Sequence, residues 1–474
     1  MISLRERSVF DGLDRRVVTQ ADLVAHSIAV ICPSASALST AFLLPRVVGP
    51  GAWVSVLLGI ALSYVLAAAF SEFGSRFVAP GSLYTYAAKG LGPAVALVVG
   101  CSMLLGYGAL VSYGLTDASR QGSRALEATT GSEPSTLVPV LVVLGGAALC
   151  VAVMRRGIRY SARFAFATEA VALSVLVIVL GVVAARNGLP GLDALDPAGS
   201  SLHDILVGTA MVMTVTIGFE SSAALGVEVV RPFRSVPRAM RLSVLITGVL
   251  LMAGVVINAS LGERTRGRWF HPGAEISYAD AIVLVVIAAS YLALALCAWT
   301  ALTRLLFAFA RDGLLPAALG RTDRRTGNPT VAVAVTVPVV LLPMCFSLLH
   351  GELPGWASYE LLIYATLILF VAYALTAIAV VPFLARLGEL TGRAVALAVG
   401  GAVGITVVGV VEVRHDIADG QRDVLLALAL LVVVALVWRV GLALRPSGVE
   451  HVGRHEETLR GDVLIPGDRG EGSG

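Results

Sequence analysis

A glycine and a carboxylate lie in the middle of a long apolar segment, where a membrane-spanning helix ordinarily carries hydrocarbon. The segment runs from Met213 to Pro232, and within it Gly218 is followed by Glu220 and Ser221. A helix can be broken inside a bilayer only where protein or a water-lined cavity receives the freed N–H and C=O groups. Such a carboxylate can carry a proton, accept a cationic group or brace an unwound backbone. The segment therefore predicts a cavity at mid-depth, and the alternative is a continuous helix with a glutamate buried for packing.

The composition places the whole chain in the membrane class. Hydrophobic residues make up 57% and charged residues only 14%, with a mean hydropathy of +0.85. Soluble domains carry about 25% charged residues. The net charge of +3 offers no basic surface of the kind that nucleic acid requires, so nucleic-acid binding is excluded.

The elements that must position the central glutamate are apolar runs, about twelve in number, each long enough to cross a bilayer as a helix. They are much longer than the strands of an outer-membrane barrel. The predicted fold is therefore an all-α polytopic membrane protein. The predicted spans are 22–45, 51–71, 93–116, 137–154, 164–185, 204–229, 239–261, 279–308, 329–349, 358–383, 393–413 and 423–444.

The basic residues sort between alternate loops, which predicts the orientation of the chain. One set of loops carries Arg5, Arg7, Arg15, Arg16, Arg155, Arg156, Arg159, Arg163, Arg231, Arg234, Arg238, Arg241, Arg311, Arg321, Arg324 and Arg325. The opposite set carries only Arg46, Arg120, Arg124, Arg264, Arg266 and Arg268. Both termini are predicted to face the cytoplasm, with the chain in the cytoplasmic membrane of the cell.

One membrane domain, 22–444, lies between a cytoplasmic N-terminal arm, 1–21, and a cytoplasmic tail, 445–474, that is rich in glycine and charge and is predicted to be disordered. The cysteines fall in or beside apolar spans and show neither a C-x-x-C pair nor metal-ligand spacing. Neither a disulfide nor a metal site is predicted. The cysteines are Cys32, Cys101, Cys150, Cys297 and Cys345.

The first and sixth spans are the two that small and polar residues interrupt. Pro33 lies in the first span beside Ser34 and cannot donate to the helix ladder, and Gly218 lies in the sixth. Broken helices five spans apart are typical of an inverted five-plus-five repeat, in which each repeat contributes one discontinuous helix to a shared site. The repeats would be 22–185 and 204–383, with two additional helices in 393–444. The alternative is that Pro33 only kinks a continuous helix.

At this point the residues resemble a known group, the amino acid-polyamine-organocation (APC) superfamily of secondary transporters. The sixth span and its exit are similar to the family's G-F-E, E-x-x-x-P and I-P-R-A elements. The loop after the second span is similar to its E-x-x-x-R to L-G-P stretch, and the residues after the eighth span to R-D-G-x-L-P and G-x-P. The matching residues are Gly218 to Glu220, Glu228 to Pro232, Val236 to Ala239, Glu72 to Pro93, Arg311 to Pro316 and Gly327 to Pro329.

The resemblance implies a LeuT-like fold, the inverted repeat plus two additional helices, and the activity of an amino acid permease. One departure concerns the first span. Phe42 to Pro45 resembles the exit of the family's first span, and this alignment places Leu38-Ser39-Thr40 where the family carries a G-S-G-like triplet. The break therefore lies either there or nearer to Pro33 and Ser34.

An amino acid zwitterion needs donors for its carboxylate and acceptors for its ammonium, and the ends of broken helices supply both. The backbone of 36–40 and of 214–218 is therefore expected to hold the charged groups. The predicted substrate-binding residues are Ser34, Ser36, Leu38, Ser39, Thr40, Thr214, Thr216, Ile217 and Gly218.

Three further roles are predicted. An aromatic gate would use Phe219 or a tyrosine such as Tyr107, Tyr113 or Tyr364. Glu220 would either brace the break or carry a proton. No cofactor is expected beyond a coupling ion, H⁺ or Na⁺, and a sodium site would use hydroxyls on the eighth span, Thr300 and Thr303.

The predicted function is secondary active transport of an amino acid or related amine across the membrane by alternating access. A polyamine or organocation carrier or exchanger is the alternative within the class. It needs several acids around the pocket, and the sequence offers Glu220 alone, so neutral amino acids are favoured. A non-transporting sensor of the same fold is the second alternative. An enzyme is not predicted, because the chain contains neither H-E-x-x-H nor G-x-S-x-G. Besides the solute and the lipid bilayer, a second copy of the chain is an expected partner.

Overall fold

The computed structural model describes residues 16–78, 80–132, 134–191, 195–259, 278–352, 358–421 and 424–443, together with Leu13 and Val452. Throughout these residues the regular structure is helical. The only strand-like feature in them is an isolated parallel bridge between Val18 and Val229. The all-α prediction is confirmed. Residues 1–12, 14 and 15 of the predicted arm, the predicted tail apart from Val452, and Arg264, Arg266 and Arg268 lie outside the described residues.

The described residues form fourteen α-helices. They are α1 (Gln20–Ile31), α2 (Pro33–Val48), α3 (Ala52–Gly74), α4 (Leu83–Leu91), α5 (Pro93–Thr130), α6 (Leu137–Arg155), α7 (Ile158–Asn187), α8 (Leu202–Thr216), α9 (Pro232–Ala259), α10 (Tyr278–Arg311), α11 (Thr330–Leu349), α12 (Ser358–Arg386), α13 (Gly392–Ala418) and α14 (Val424–Ala443). A 3₁₀ helix, Phe219–Glu228, lies between α8 and α9.

Within the described residues, 10 segments are long and apolar enough to cross a membrane. The first of them, Gln20–Gly74, contains the first two predicted spans, and the last predicted span coincides with a shorter apolar helix, Val424–Val440. The chain is therefore a multi-pass membrane protein, as its sequence predicts.

The first span is broken at Cys32, where α1 ends and α2 begins. Cys32 has a left-handed backbone, with φ of 53° and ψ of 56°, and its N–H donates to the Ile28 carbonyl oxygen at 2.9 Å. Pro33 is the first residue of α2, a position that tolerates proline because its missing N–H would have no helical partner there. The break therefore lies beside Pro33, one of the two registers that the sequence left open.

The expectation of unwound backbone at 36–40 is wrong, because those residues are helical within α2. Their hydroxyls bond back to the helix instead of replacing its hydrogen bonds. Ser36 Oγ donates to the Cys32 carbonyl oxygen at 3.0 Å, and Ser39 Oγ donates to the Ser36 carbonyl oxygen at 3.2 Å. Side-chain bonds of this kind are compatible with an intact helix.

The sixth span is broken at Ile217 and Gly218. Ile217 is extended, with ψ of 145°, and Gly218 has a φ of 100°, a conformation that disfavours any residue with a Cβ. The chain then continues as a 3₁₀ helix of 10 residues, far longer than the usual three or four. A Cβ added to Gly218 would lie 2.2 Å from Val30 Cγ1, so the two breaks touch each other.

Two long helices, α5 and α10, pack against each other beside the breaks. Their close approach depends on Gly114 of α5. A Cβ at this position would lie 2.8 Å from the Tyr291 carbonyl oxygen and 3.0 Å from the Ala295 backbone nitrogen. These are backbone atoms, which can give way only if the two helices separate.

Gly114→Ala is therefore expected to lower the thermal stability of the purified protein, by about 1–3 kcal/mol, the usual cost of overpacking. Gly108→Ala in the same helix is the matched control, because its added Cβ meets nothing within 4 Å, and alanine is the better helix former. Melting in detergent, followed by intrinsic fluorescence, measures both variants. Equal melting temperatures for the two variants would contradict the proposed contact.

Candidate functional site

A cavity of about 240 Å³ opens at the two helix breaks. Ile31 and Cys32 from the first break and Ile217 from the second line its inner part. From there the cavity follows one face of α2 and one face of α5, since the lining residues on each helix recur at intervals of three and four. On α2 and α5 they are Cys32, Ala35, Ser36, Ser39, Thr40, Phe42, Leu43, Leu110, Tyr113, Asp117 and Arg120.

The remaining walls come from four other helices. Residues of α8, α10 and α12 close the sides, Glu412 of α13 also lines the cavity, and Arg120 is the last lining residue along α5. The Arg120 side chain is 49% exposed, so the cavity reaches the surface at this end. The wall residues of α8, α10 and α12 are Met211, Thr214, Val215, Tyr291, Leu294, Tyr359, Leu362 and Ile363.

The cavity brings together five of the nine predicted substrate-binding residues. Four of them lie on helix faces that lead away from a break, and Ile217 lies in the second break itself. They are Ser36, Ser39, Thr40, Thr214 and Ile217.

The other four lie outside the cavity, and each has a different neighbour. Ser34 Oγ donates to Ser290 Oγ at 2.7 Å, and the Thr216 hydroxyl bonds to Ser63 Oγ at 2.8 Å. Leu38 lines a separate void of only about 10 Å³ against α7, and Gly218 packs against α1 as described above. The sequence predicts that these residues lie close to the breaks. Whether each side chain faces the cavity depends on the residue at which the helix breaks, because this sets the rotation of the helix.

Two helix ends face the cavity. The first N–H groups of α2 and the last C=O groups of α8 have no partners within their own helices. Cys32 and Ala35 line the cavity at the start of α2, and Thr214 and Ile217 line it at the end of α8. The partial positive charge of one helix end and the partial negative charge of the other therefore meet the same space.

Glu220 is fully buried beneath the breaks and does not line the cavity. The Tyr107 hydroxyl donates to its Oε1 at 2.8 Å, and the Tyr373 hydroxyl donates to its Oε2. The Gly218 N–H in turn donates to the Tyr373 oxygen at 3.2 Å. The carboxylate is thus joined to the broken backbone through a tyrosine that the sequence analysis did not single out.

Of the predicted gate residues, Phe219 and Tyr107 also lie outside the cavity, whereas Tyr113 lines it. Tyr107 is occupied by Glu220, and the ring of Phe219 stacks on Phe70 at 5.9 Å between centroids, with Tyr373 at 5.3 Å. The aromatic pair that does face the cavity is Tyr113 and Tyr291, whose hydroxyl oxygens are 3.2 Å apart.

A buried ion pair lies at the other end of the 3₁₀ helix. Arg304 donates to Glu228 through Nη2 at 3.1 Å and through Nε at 3.2 Å, and both side chains are at most 2% exposed. The Asn328 side chain accepts a further bond from Arg304 at 3.1 Å. The backbone N–H groups of Val17 and Val18, just before α1, donate to the Glu228 carbonyl oxygen at 2.9 and 3.0 Å.

The residues of the predicted ion site, Thr300 and Thr303, lie on α10 next to this ion pair. Thr300 Oγ1 donates to the Leu296 carbonyl oxygen, and Thr303 Oγ1 donates to the Thr300 carbonyl oxygen. Arg304 Nη1 lies 3.5 Å from Thr303 Oγ1. The two hydroxyls therefore bond to carbonyl oxygens of their own helix, and Thr303 also contacts a fixed guanidinium.

The α10 hydroxyl that does reach the first break is Ser290. Its Oγ donates to Glu169 Oε2 at 2.7 Å and lies 3.1 Å from Cys32 Sγ, besides its bond with Ser34. Glu169 is 2% exposed, and its Oε1 has no hydrogen-bond partner among the described residues. Eleven residues of α7 precede it, about 16 Å of helix. Glu169 therefore lies well inside α7, next to the first break.

Three charged residues of the cavity wall were also missed. Asp117 is 1% exposed and accepts from Arg120 Nε at 3.0 Å and from Nη2 at 2.6 Å. Asp117 and Arg120 lie beyond the apolar run 93–116, but α5 continues to Thr130 and carries them into the wall. Glu412 was missed because α13 was regarded as an addition outside the repeats.

Comparison with known proteins identifies relatives over most of the chain. The family model described as "Amino acid permease" matches residues 24–387. The chain is similar to "Cationic amino acid transporter 4, vacuolar" of Arabidopsis thaliana, with 27% identity over 60% of this chain and 52% of the relative. It is similar to "Branched-chain amino acid permease BcaP" of Lactococcus lactis subsp. cremoris, with 24% identity over 70% of this chain and 77% of the relative.

A human relative, "Cationic amino acid transporter 4", is 27% identical over 73% of this chain and 57% of its own length. The match thus spans little more than half of the two cationic amino acid transporters and about three quarters of the bacterial permease.

The contacts of Glu220 predict a graded effect of removing its two tyrosine hydroxyls. Tyr373→Phe removes a donor to the carboxylate and also the acceptor of the Gly218 N–H, whereas Tyr107→Phe removes one donor only. A buried polar group without a partner costs about 1–3 kcal/mol. Thermal unfolding is expected to show a larger loss of stability for Tyr373→Phe than for Tyr107→Phe. The reverse order would contradict the link between the carboxylate and the broken backbone.

Proposed function

The chain belongs to the amino acid permease family, and we propose that it is a secondary active transporter that carries an amino acid or related amine across the cytoplasmic membrane by alternating access. The observation that carries this proposal is the cavity between two touching helix breaks, with one helix N-terminus and one helix C-terminus facing the same space. Discontinuous helices that meet in this way are how secondary transporters bind charged groups at mid-depth.

Each of the two helix ends binds one charged group of the zwitterion. The solute carboxylate binds at the start of α2, near Cys32 and Ala35, at the positive end of the helix dipole. The ammonium group binds at the end of α8, near Thr214 and Ile217, where carbonyl oxygens are available. The hydroxyls of Ser36 and Thr214 then adjust the fit, although both also bond to their own helices.

The difference between the two ends of the cavity supports alternating access. The end near Arg120 reaches the surface, while the end toward Val18 is closed by the Glu228 and Arg304 pair and by the backbone bonds to Glu228. Opening that side requires α1 and the 3₁₀ helix to separate from α10, a rigid-body movement of the kind that switches transporters. Glu220 braces the second break during this movement. In the predicted orientation, with the termini in the cytoplasm, the closed side is the cytoplasmic one.

The group that supports coupling to an ion is Glu169. Its free oxygen and the hydroxyls of Ser290 and Ser34 form a polar chain from α7 to the first break. A proton or a sodium ion bound to these hydrogen-bonded groups neutralises the carboxylate. It also connects α7, α10 and α2, which separate in the proposed transport cycle. Binding of the ion and movement of the break are then linked.

The relatives support an amino acid as the solute, since their names describe transporters of cationic or branched-chain amino acids. A solute sensor of the same fold is the second candidate, and it differs by binding without flux. Association of two copies stays a prediction.

Filling the cavity tests the proposal. Ser36→Phe is expected to abolish uptake of amino acids into proteoliposomes, because the ring would occupy the space beside the first break. Ser174→Phe is the matched control, since Ser174 is an exposed serine on α7 that also bonds back to its own helix, donating to the Ala170 carbonyl oxygen at 2.7 Å. Uptake of a panel of labelled amino acids by the wild type and both variants is measured at equal amounts of reconstituted protein.

Flux through the Ser36→Phe variant at the wild-type rate would contradict this placement of the site. Binding of an amino acid by the wild type without any flux would favour the sensor.

Replacing the carboxylate of Glu169 tests the coupling. Glu169→Gln is expected to lose uptake driven by a proton or sodium gradient, because the neutral amide can neither take up a proton nor offer a negative charge to sodium. Exchange of internal for external solute, which needs no net movement of the ion, is expected to continue. Gradient-driven uptake that matches the wild type would exclude Glu169 as the coupling group.

A further inference from the structure

The surface that carries the predicted cytoplasmic loops has a basic patch, formed by two stretches of chain that contact each other. One stretch is the turn between α6 and α7, and the other is the loop between α10 and α11. A Cβ on Gly157 of the turn would lie 3.6 Å from the Thr326 carbonyl oxygen of the loop, and the Asn328 side chain donates to the Met154 carbonyl oxygen. The basic patch consists of seven exposed arginines on these stretches, Arg155, Arg156, Arg159, Arg163, Arg321, Arg324 and Arg325.

The patch has little negative charge to neutralise it. Asp323 is the only acid in residues 155–168 and 317–328, so seven arginines and one aspartate leave an excess of six positive charges. The Asp323 carboxylate accepts from the backbone N–H groups of Arg325 and Thr326, at 2.8 and 3.0 Å. Among the described residues, no carboxylate forms an ion pair with any of the seven arginines. Like charges gathered in this way attract anions.

One arginine of the patch is held in position by a neighbouring aromatic ring. Arg156 Nη1 donates to the Tyr160 hydroxyl oxygen at 2.9 Å, and Arg156 Cζ lies 5.0 Å from the centroid of the ring. Tyr160 is itself exposed, on the first turn of α7, and tyrosine is a typical anchor at the boundary between membrane and water. A guanidinium that is already oriented loses less freedom when it binds a phosphate group.

The helices beside the patch expose apolar side chains that suit lipid. Of the ten described segments that can cross a membrane, α7 has the smallest buried share, 22% of its apolar window. Leu149 of α6, Phe166 of α7 and Val335 of α11 are all exposed, and each lies about two turns or less from the helix end next to the patch. An anion bound at the patch therefore lies next to a surface that acyl chains cover, which favours a lipid over a soluble anion.

We propose that the basic patch binds the headgroup of an anionic phospholipid, with the acyl chains lying against α6, α7 and α11. Hydrogen bonds between guanidinium and phosphate are strengthened by both charges. The planar guanidinium also matches the geometry of phosphate oxygens better than an ammonium group does. Basic pockets between membrane helices on the cytoplasmic side bind lipid headgroups in this way.

Binding at the patch affects the closed end of the cavity. Asn328 Oδ1 accepts from Arg304 Nη2 at 3.1 Å, while Asn328 Nδ2 bonds to the backbone of α6. The same side chain thus joins the two stretches of the patch to the buried pair of Arg304 and Glu228. A headgroup that holds the turn and the loop together therefore stabilises the closed arrangement. This consequence rests on the proposed function, whereas headgroup binding itself does not.

Thermal unfolding of the purified full-length protein in detergent, with added lipid, tests the inference. Dioleoyl phosphatidylglycerol is the anionic probe, and dioleoyl phosphatidylethanolamine has the same acyl chains but no net charge. The anionic lipid is expected to raise the melting temperature in a saturable way, because a ligand that binds the folded state stabilises it. The zwitterionic lipid is expected to have a much smaller effect. Glycerol 3-phosphate, which lacks acyl chains, is expected to have none at the same concentration.

Replacing three arginines locates the binding site. Removing the three patch charges nearest to the contact is expected to raise the concentration of anionic lipid for half-maximal stabilisation by about tenfold or more. This variant is Arg155→Gln, Arg156→Gln and Arg325→Gln. The matched control removes the same charge from exposed residues at the start of α9, on the same predicted side of the membrane, and is expected to change that concentration much less. It is Arg231→Gln, Arg234→Gln and Arg238→Gln.

Equal stabilisation of the wild type by the two lipids overturns the inference, since the effect would then come from the acyl chains alone. Stabilisation by glycerol 3-phosphate that matches the anionic lipid overturns it as well, because the patch would then bind a soluble anion. These two comparisons use the wild type and decide the question even if a variant does not fold. An equal loss in both triple variants also overturns it, by showing attraction to the basic surface as a whole. No solute is involved in any of these measurements, so headgroup binding and the proposed function fail separately.

Discussion

The contact between Gly218 and Val30 is the constraint on which the rest of the site depends. A Cβ on Gly218 would lie 2.2 Å from the Val30 side chain, so the two broken helices meet at a separation that only glycine permits. The same residue has a φ of 100°, which lets the chain leave α8 without a clash of its own. Because the breaks touch, the helix ends on either side of them open into one shared space, and the cavity exists only as a consequence of that contact.

Broken helices are tolerated inside a bilayer only when other groups satisfy their backbone and their polar side chains. Here three separate networks surround the breaks. Tyr373 links Gly218 to Glu220, Ser290 links the first break to Glu169, and Arg304 joins Glu228 where the 3₁₀ helix ends. Each network ties one of the broken segments to a helix that is continuous, so the fold limits where the chain can bend. In the proposed transport cycle, their buried charges lie where helices separate.

The sequence was sufficient to predict the all-helical class, the spans and the two interrupted helices, because hydropathy and the positions of Pro33 and Gly218 are local properties. The sequence did not predict the direction in which individual side chains point. A break at Cys32 turns Ser34 toward Ser290 and Ser36 toward the cavity, and that rotation depends on one residue of register. Asp117 and Glu412 enter the site from distant helices, so only tertiary packing could reveal them.

The difference between the two ends of the cavity bears on how such a protein can switch. At the closed end Glu228 and Arg304 are both nearly inaccessible to water, and a desolvated ion pair contributes little net stability because burial of its charges offsets their attraction. When that end opens, water that enters hydrates both charges and compensates for the lost contact. An apolar seal would receive no such compensation, since exposing it to water is unfavourable throughout. A buried ion pair therefore holds the closed state in a defined geometry while keeping the two states close in free energy, which is what a carrier that must visit both requires.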